Sequence, residues 1–165
     1  MTKLESIQNK VFFSKEDFEK TLHYFRFKNF SLVFTNGCFD ILHLGHIDYL
    51  AKAADLGDKL IIGINSDSSV RSLKGENRPI SDIHSRAMVL ASLSFVAAVI
   101  VFDEETPYNL IRYIAPNILV KGKDYMVDQI VGADFVLQLG GKVETIDLVE
   151  GYSTSIIEKK IRSNP

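Results

Sequence analysis

Four short runs of this chain are apolar at almost every position: Leu32-Val33-Phe34, Leu60-Ile61-Ile62-Gly63-Ile64, Val96 to Phe102, and Ile118 to Val120. A strand that is apolar without alternation is buried on both faces, and the usual way to bury both faces is a parallel sheet with helices on each side. A fifth strand is predicted at Val143-Glu144-Thr145-Ile146. Helical stretches separate these runs. One is the periodic segment Ile47 to Leu56, closed by Gly57-Asp58; another begins near Thr106-Pro107, where proline suits the first turn. The alternation predicts a doubly wound α/β domain with a five-stranded parallel sheet. Ahead of it, Ser14 to Phe30 reads as a helix, with Phe18, Leu22 and Phe25 on one face and Ser14 with Asp17 as a capping pair. The expected organisation is a helical extension over residues 1–30 and one domain over 31–165.

Length and composition agree with this. The chain has 165 residues, enough for one core, and 46% of them are apolar. A formal net charge of -2 gives no basic footprint for nucleic acid, so a small anion must be held by local positive charge. Cys38 is the only cysteine, which excludes an internal disulfide and fits a reducing, cytoplasmic compartment. Met1 to Ser6 lacks the apolar stretch of a secretory leader, and Phe95 to Phe102 is too short to cross a membrane.

Ligands of open α/β sheets bind outside the carboxyl ends of the strands. Two polar loops fall there, one opening at Gly37 and one running from Lys74 to Ser81. The first leads into His43-Leu44-Gly45-His46 at the start of a predicted helix. Two imidazoles three positions apart, with free backbone N–H groups between them, form a candidate phosphate cradle, and glycine lets an anion approach the backbone. Taken alone, the pair is as often structural as functional. A zinc site of His43, His46 and Cys38 is a weaker reading, because a fourth ligand is missing.

The stretch Gly37-Cys38-Phe39-Asp40 followed by His43-Leu44-Gly45-His46 resembles the signature of the cytidylyltransferase-like nucleotidyltransferase superfamily, whose fold is Rossmann-like and of the HUP type. Tyr152-Ser153-Thr154-Ser155-Ile156-Ile157 is similar to the second signature, a Ser/Thr-rich turn that opens a helix. Further pieces resemble the adenylyltransferase of heptose 1-phosphate metabolism, often found as the second half of a fused kinase-adenylyltransferase. They are Phe34 to His43, Asn65-Ser66-Asp67, Leu73-Lys74-Gly75 with Arg78-Pro79, Val120 to Tyr125, and Glu150-Gly151. Glycerol 3-phosphate cytidylyltransferases typically carry an arginine shortly before the second signature, where this chain has Leu148.

The resemblance implies transfer of AMP from ATP, accompanied by Mg²⁺, to D-glycero-β-D-manno-heptose 1-phosphate in the synthesis of glycan precursors. It implies a homo-oligomer, and, with no kinase half in this chain, a separate heptose kinase upstream. His43 and His46 take the catalytic role. Asn36, Gly37, Cys38, Phe39, Asp40, Gly45, Asn65 and Asp67 are assigned to the nucleotide, with Gly122, Asp124, Ser153, Thr154 and Ser155. Lys74, Arg78, Arg86 and Lys121 are assigned to the substrate phosphates. Asp40 is expected to fix its own loop through backbone hydrogen bonds, and Cys38 to be a small buried residue with no nucleophilic task. His23 and His84 fall outside both signatures and are read as ordinary surface or helix residues.

Two rivals remain at this level. Class I aminoacyl-tRNA synthetases share a His-Leu-Gly-His signature but add a lysine-serine motif and an RNA-binding domain, neither visible here. A nucleotide-sensing domain without turnover is the other, and a cytidylyltransferase acting on glycerol 3-phosphate is the nearest enzymatic alternative.

Overall fold

The computed structural model describes residues 1–124 and 126–163. Tyr125, part of one segment of the resemblance above, lies outside the described residues.

The chain forms a six-stranded parallel sheet in the order β1-β4-β3-β2-β5-β6. The strands are β1 (Val11–Phe12), β2 (Leu32–Gly37), β3 (Lys59–Asn65), β4 (Val96–Phe102), β5 (Ile118–Gly122) and β6 (Lys142–Ile146). Five of them are the strands expected. The sixth, β1, comes from within the extension and pairs with the edge of β4, Val11 opposite Val99. Two residues are too few to show a period, and only the tertiary pairing makes them a strand.

Among the described residues eight α-helices cover the sheet: α1 (Lys3–Gln8), α2 (Lys15–Phe27), α3 (Leu44–Ala54), α4 (Asp67–Lys74), α5 (Ile83–Ser92), α6 (Tyr108–Ile114), α7 (Ala133–Gln138) and α8 (Thr154–Ser163). Ser14 caps α2 by accepting from the Asp17 N–H, and Phe18, Leu22 and Phe25 are buried. Successive strand residues feed opposite faces, as a pleat requires. Phe34, Ile61 and Ile100 pack with α2 and α6 residues on one side, while Val33, Ile62 and Val99 pack with Tyr49, Leu50 and Leu90 of α3 and α5 on the other. Lys10 fastens the β1 segment by donating to the carbonyls of Ala91 and Leu93 at the end of α5.

Connectivity places the site. From β2 the chain steps outward to β3 and β4, then returns to lay β5 along the other side of β2. The crevice between β2 and β5 is therefore the switch point where an open sheet binds ligands.

Candidate functional site

A cleft of about 630 Å³ opens at the carboxyl ends of the strands. Its first wall follows from the end of β2. Phe39 sits at φ 47°, a left-handed conformation disfavoured for a side chain of its size. That turn folds the Phe39 ring back over Gly37, where an added Cβ would stand 3.0 Å from the ring. The same ring meets His46 edge-on at 5.3 Å. His43 is the extended N-cap of α3 and makes no side-chain cap bond. Its imidazole lies over Gly45, where a Cβ would come within 3.1 Å of ring atoms, and stacks on His46 with centroids 3.8 Å apart. Gly45 thus makes room for the imidazole as well as for a ligand.

The Nδ1 atoms of both histidines are buried without a hydrogen-bond partner. Burial lowers the pKa of His43. His46 falls to about 4, mainly through burial and then through repulsion by His43 and Lys74, with a hydrogen bond to the Ile41 carbonyl partly opposing. Both rings are neutral at pH 7. A neutral ring has one N–H: His43 can give its own to a phosphate, while His46, bonded to the Ile41 carbonyl, offers a phosphate a second N–H once the anion's charge draws a proton onto the ring. The Cys38 thiol is raised by burial and stays protonated, so no thiolate faces the cleft.

The floor is Lys121 on β5, whose Nζ donates to the Asn36 carbonyl at 3.4 Å. Burial lowers its pKa to about 8, with Asp124 and then Cys38 opposing the fall. The second wall is the start of α8, where Thr154 and Ser155 line the cleft. Ser153 accepts from the Ile156 N–H through its hydroxyl oxygen, which is the capping role, and lines the cleft as well. The helix dipole and its free N–H groups face inward at this point.

Most residues read from the sequence do line this cleft. They include Asn36 to Asp40, His43, Gly45 and His46, then Asn65 and Lys74, then Lys121, Gly122 and Asp124. Three do not: Asp67, Arg78 and Arg86 lie behind it. Arg86 is 2% exposed and donates to the carbonyls of Cys38 and Ser81 and to the Asp67 carboxylate. It holds the floor from below, with Nε, Nη1 and Nη2 each on an acceptor of the protein. Arg78 is paired with Asp40 and Glu158. Asp40 also accepts from the N–H groups of Ile80 and Ser81, so it fastens the distant loop of residues 75–81 in place of its own. Burial alone would raise the Asp40 carboxyl, yet the Ser81, Ile80 and Arg78 hydrogen bonds outweigh it and hold it below its ordinary value. Lys74 ends α4, and the loop proper begins at Gly75 with φ 97°.

Sequence reasoning missed Tyr49, Leu73, Glu105, Val149 and Tyr152 as cleft residues, and gave Leu148 only a negative role. Tyr49 was findable, since it is one turn after His46 on the same helix face; its hydroxyl bonds Thr35 at 2.7 Å. Glu105 follows the end of β4, at the ligand-binding edge. Leu148 packs beside Gly122, where a Cβ would lie 3.3 Å from it, and forms an apolar ledge with Val149 and Tyr152.

The cytidylyltransferase-like family model matches residues 34–161, which contain both walls and the floor. The chain belongs to that family. Among curated relatives it is 52% identical over 151 residues to the bifunctional protein HldE of Wolinella succinogenes and 55% identical over 139 residues to that of Pseudomonas fluorescens. Those alignments cover 92% and 84% of this chain but 31% and 29% of the relatives, so the chain spans about a third of their length. A lipopolysaccharide core biosynthesis protein from Thermoplasma volcanium has a similar structure, with TM-score 0.59 and 31% identity over 75% of this chain and 99% of that one. A pantoate-beta-alanine ligase from Francisella tularensis shares the fold with TM-score 0.61 at 17% identity, covering 92% of this chain and 76% of that one. No helix among the described residues is long and apolar enough to cross a membrane.

Proposed function

We propose that the chain is an adenylyltransferase that moves AMP from MgATP to D-glycero-β-D-manno-heptose 1-phosphate, giving ADP-heptose and pyrophosphate. The observation that carries this is the opposed pair of walls, with neutral stacked His43 and His46 facing the N-terminus of α8 across one cleft. A phosphate oxygen of the sugar phosphate attacks the α-phosphorus, forming the new P–O bond as the bond to the β-phosphate oxygen breaks and pyrophosphate departs. The nucleophile is already ionised, so no general base is needed. The barrier lies in bringing polyanions together and in stabilising charge at the α-phosphate. His43 and His46 donate to that phosphate, Thr154 and Ser155 take the leaving pyrophosphate, and Lys74 and Lys121 offset the added charge.

Magnesium belongs to the substrate in this scheme, carried by phosphate oxygens and water. Heptose is favoured by the HldE relatives and by the segments from Leu73 to Pro79 and from Val120 to Asp124. ATP is favoured by the Leu148 ledge, which offers an apolar face and no arginine. A heptose kinase upstream, a cytoplasmic location and a homo-oligomeric state belong to the same proposal.

The test is pyrophosphate release from ATP or CTP, each paired with heptose 1-phosphate, glycerol 3-phosphate or ethanolamine phosphate. Release from ATP with the heptose is the expected result. Release from CTP with glycerol 3-phosphate overturns both substrates, and nucleotide binding without release under every pairing identifies a sensor.

A further inference from the structure

The hydroxyls of Thr35 and Tyr49 stand 2.7 Å apart and share a buried hydrogen bond. Thr35 on β2 is fully buried, and Tyr49 on α3 is 7% exposed. Tyr49 lies in the apolar layer between helix and sheet, with Val33, Leu50 and Ala53. Thr35→Val and Tyr49→Phe would fill that layer with the same shapes. Replacing both partners of a buried hydrogen bond in this way is nearly neutral for stability, so the needs of the core do not account for the two hydroxyls.

Their place in the chain does. Thr35 precedes the loop of residues 38–43 and Tyr49 follows it, so the bond ties the two ends of the loop that carries the first signature. Tyr49 comes three residues after His46, on the same face of α3 and about 4.5 Å further along its axis. His43, at the tip of that helix, makes no side-chain cap bond. Apolar contacts press α3 firmly onto the sheet but have no direction. A hydrogen bond prefers one distance and one angle. A hydroxyl pair one turn below His46 therefore selects the rotation and the axial slide of the helix, and with them the height at which both imidazoles meet the cleft.

We infer that Thr35 and Tyr49 are a positioning pair, whose hydroxyl bond fixes α3 against β2 and so sets His43 and His46 where the reacting phosphate meets them. The inference rests on the nucleotidyl-transfer reading and adds to it two residues that act on the chemistry through the histidines.

The experiment compares Thr35→Val, Tyr49→Phe, the double variant and Thr35→Ser with the unaltered chain, in thermal melts and in steady-state pyrophosphate release from MgATP and heptose 1-phosphate. Each apolar single variant should lose stability, because it leaves one buried hydroxyl unpaired, and the double variant should regain it. Turnover is expected not to follow stability. It falls about tenfold in Thr35→Val and in Tyr49→Phe and stays about tenfold down in the double variant, while the KM for ATP changes less than about twofold. Thr35→Ser keeps the hydroxyl and should keep most of the turnover. Recovery of kcat together with stability in the double variant makes the pair structural and overturns the assignment. Single effects that multiply in the double variant overturn it as well, as does a raised KM for ATP at unchanged kcat. If the unaltered chain releases no pyrophosphate with any sugar phosphate, it is the underlying reading that fails.

Discussion

The two walls of the cleft are held in place by different physics. Helix α3, which carries His43 and His46, buries Gly45, Tyr49, Leu50 and Ala53 against the sheet. Helix α8, which carries Thr154 and Ser155, buries no residue at all. Its side-chain tie to the rest of the site is Glu158 on Arg78, and Arg78 is in turn held by buried Asp40. One guanidinium therefore joins the first signature, the loop of residues 75–81 and the helix that the second signature opens. The histidine wall is positioned by packing, which is short-ranged and stiff; the serine wall is positioned by charge, which yields more readily. A nucleotidyltransferase gains from that division, since the α-phosphate must be met by fixed groups while the pyrophosphate has to be gripped and then released.

The comparison can be broken at its rigid end first. His46→Ala should lower kcat by roughly a hundredfold to a thousandfold, the range for losing one preorganised donor, while thermal unfolding shows the fold retained. Turnover unchanged in pyrophosphate release would remove the histidines from the chemistry. The next largest effect is expected at the shared guanidinium. Arg78→Ala leaves the Asp40 carboxylate, 1% exposed, without its cation, which should cost about 1–3 kcal/mol of stability and raise the KM for ATP more than it lowers kcat. Denaturant melts and initial rates report the two separately.

Acid provides a third test. The folded pKa of His46 is depressed to about 4 from 6.5, so the unfolded chain binds the extra proton across that window. Stability is fully present above pH 6.5 and falls as the pH drops towards 4, with His43 adding in the same direction. His46→Gln should flatten the dependence, as read from melts across pH 4 to 7. Lys121 gives the opposite limb: with a pKa of about 8 it loses its charge as the pH rises through that value. Accordingly kcat/KM should fall above pH 8, and Lys121→Arg should carry the plateau further. The smallest effect is predicted for Glu158→Gln, which weakens a partly exposed pair worth about 1 kcal/mol or less. It should leave the melting temperature nearly unchanged while speeding amide exchange in α8 and raising the KM for ATP a few-fold.

Strands β2 to β5 were legible because burial on both faces writes itself as continuous apolar runs, the edge strand β6 because Val143, Thr145 and Ile146 are β-branched, and the signatures because phosphate chemistry demands particular residues at fixed spacing. The failures have physical causes. Strand β1 has no local signal, since Val11 and Phe12 become a strand only through β4. Helix α4 was hidden by its short length between Ser66 and Gly75. Arg78 and Arg86 were read as phosphate ligands because a cation near a phosphate loop is the same in sequence whether it faces ligand or protein. What decides is a carboxylate far along the chain, Glu158 for Arg78 and Asp67 for Arg86, and no local pattern carries that information. Glu105 escaped for the related reason that a residue brought to the cleft by the sheet is not a neighbour in sequence of the motifs that mark it.

A helix with no residue in the core has another consequence, one for descent. Substitutions on α8 away from Ser153, Thr154, Ser155 and Glu158 cost the fold little, so this end of the chain is free to drift while the sheet and α3 stay under constraint. Lineages that share the histidine wall can then diverge in how tightly they hold pyrophosphate, and so in turnover, without rebuilding the fold.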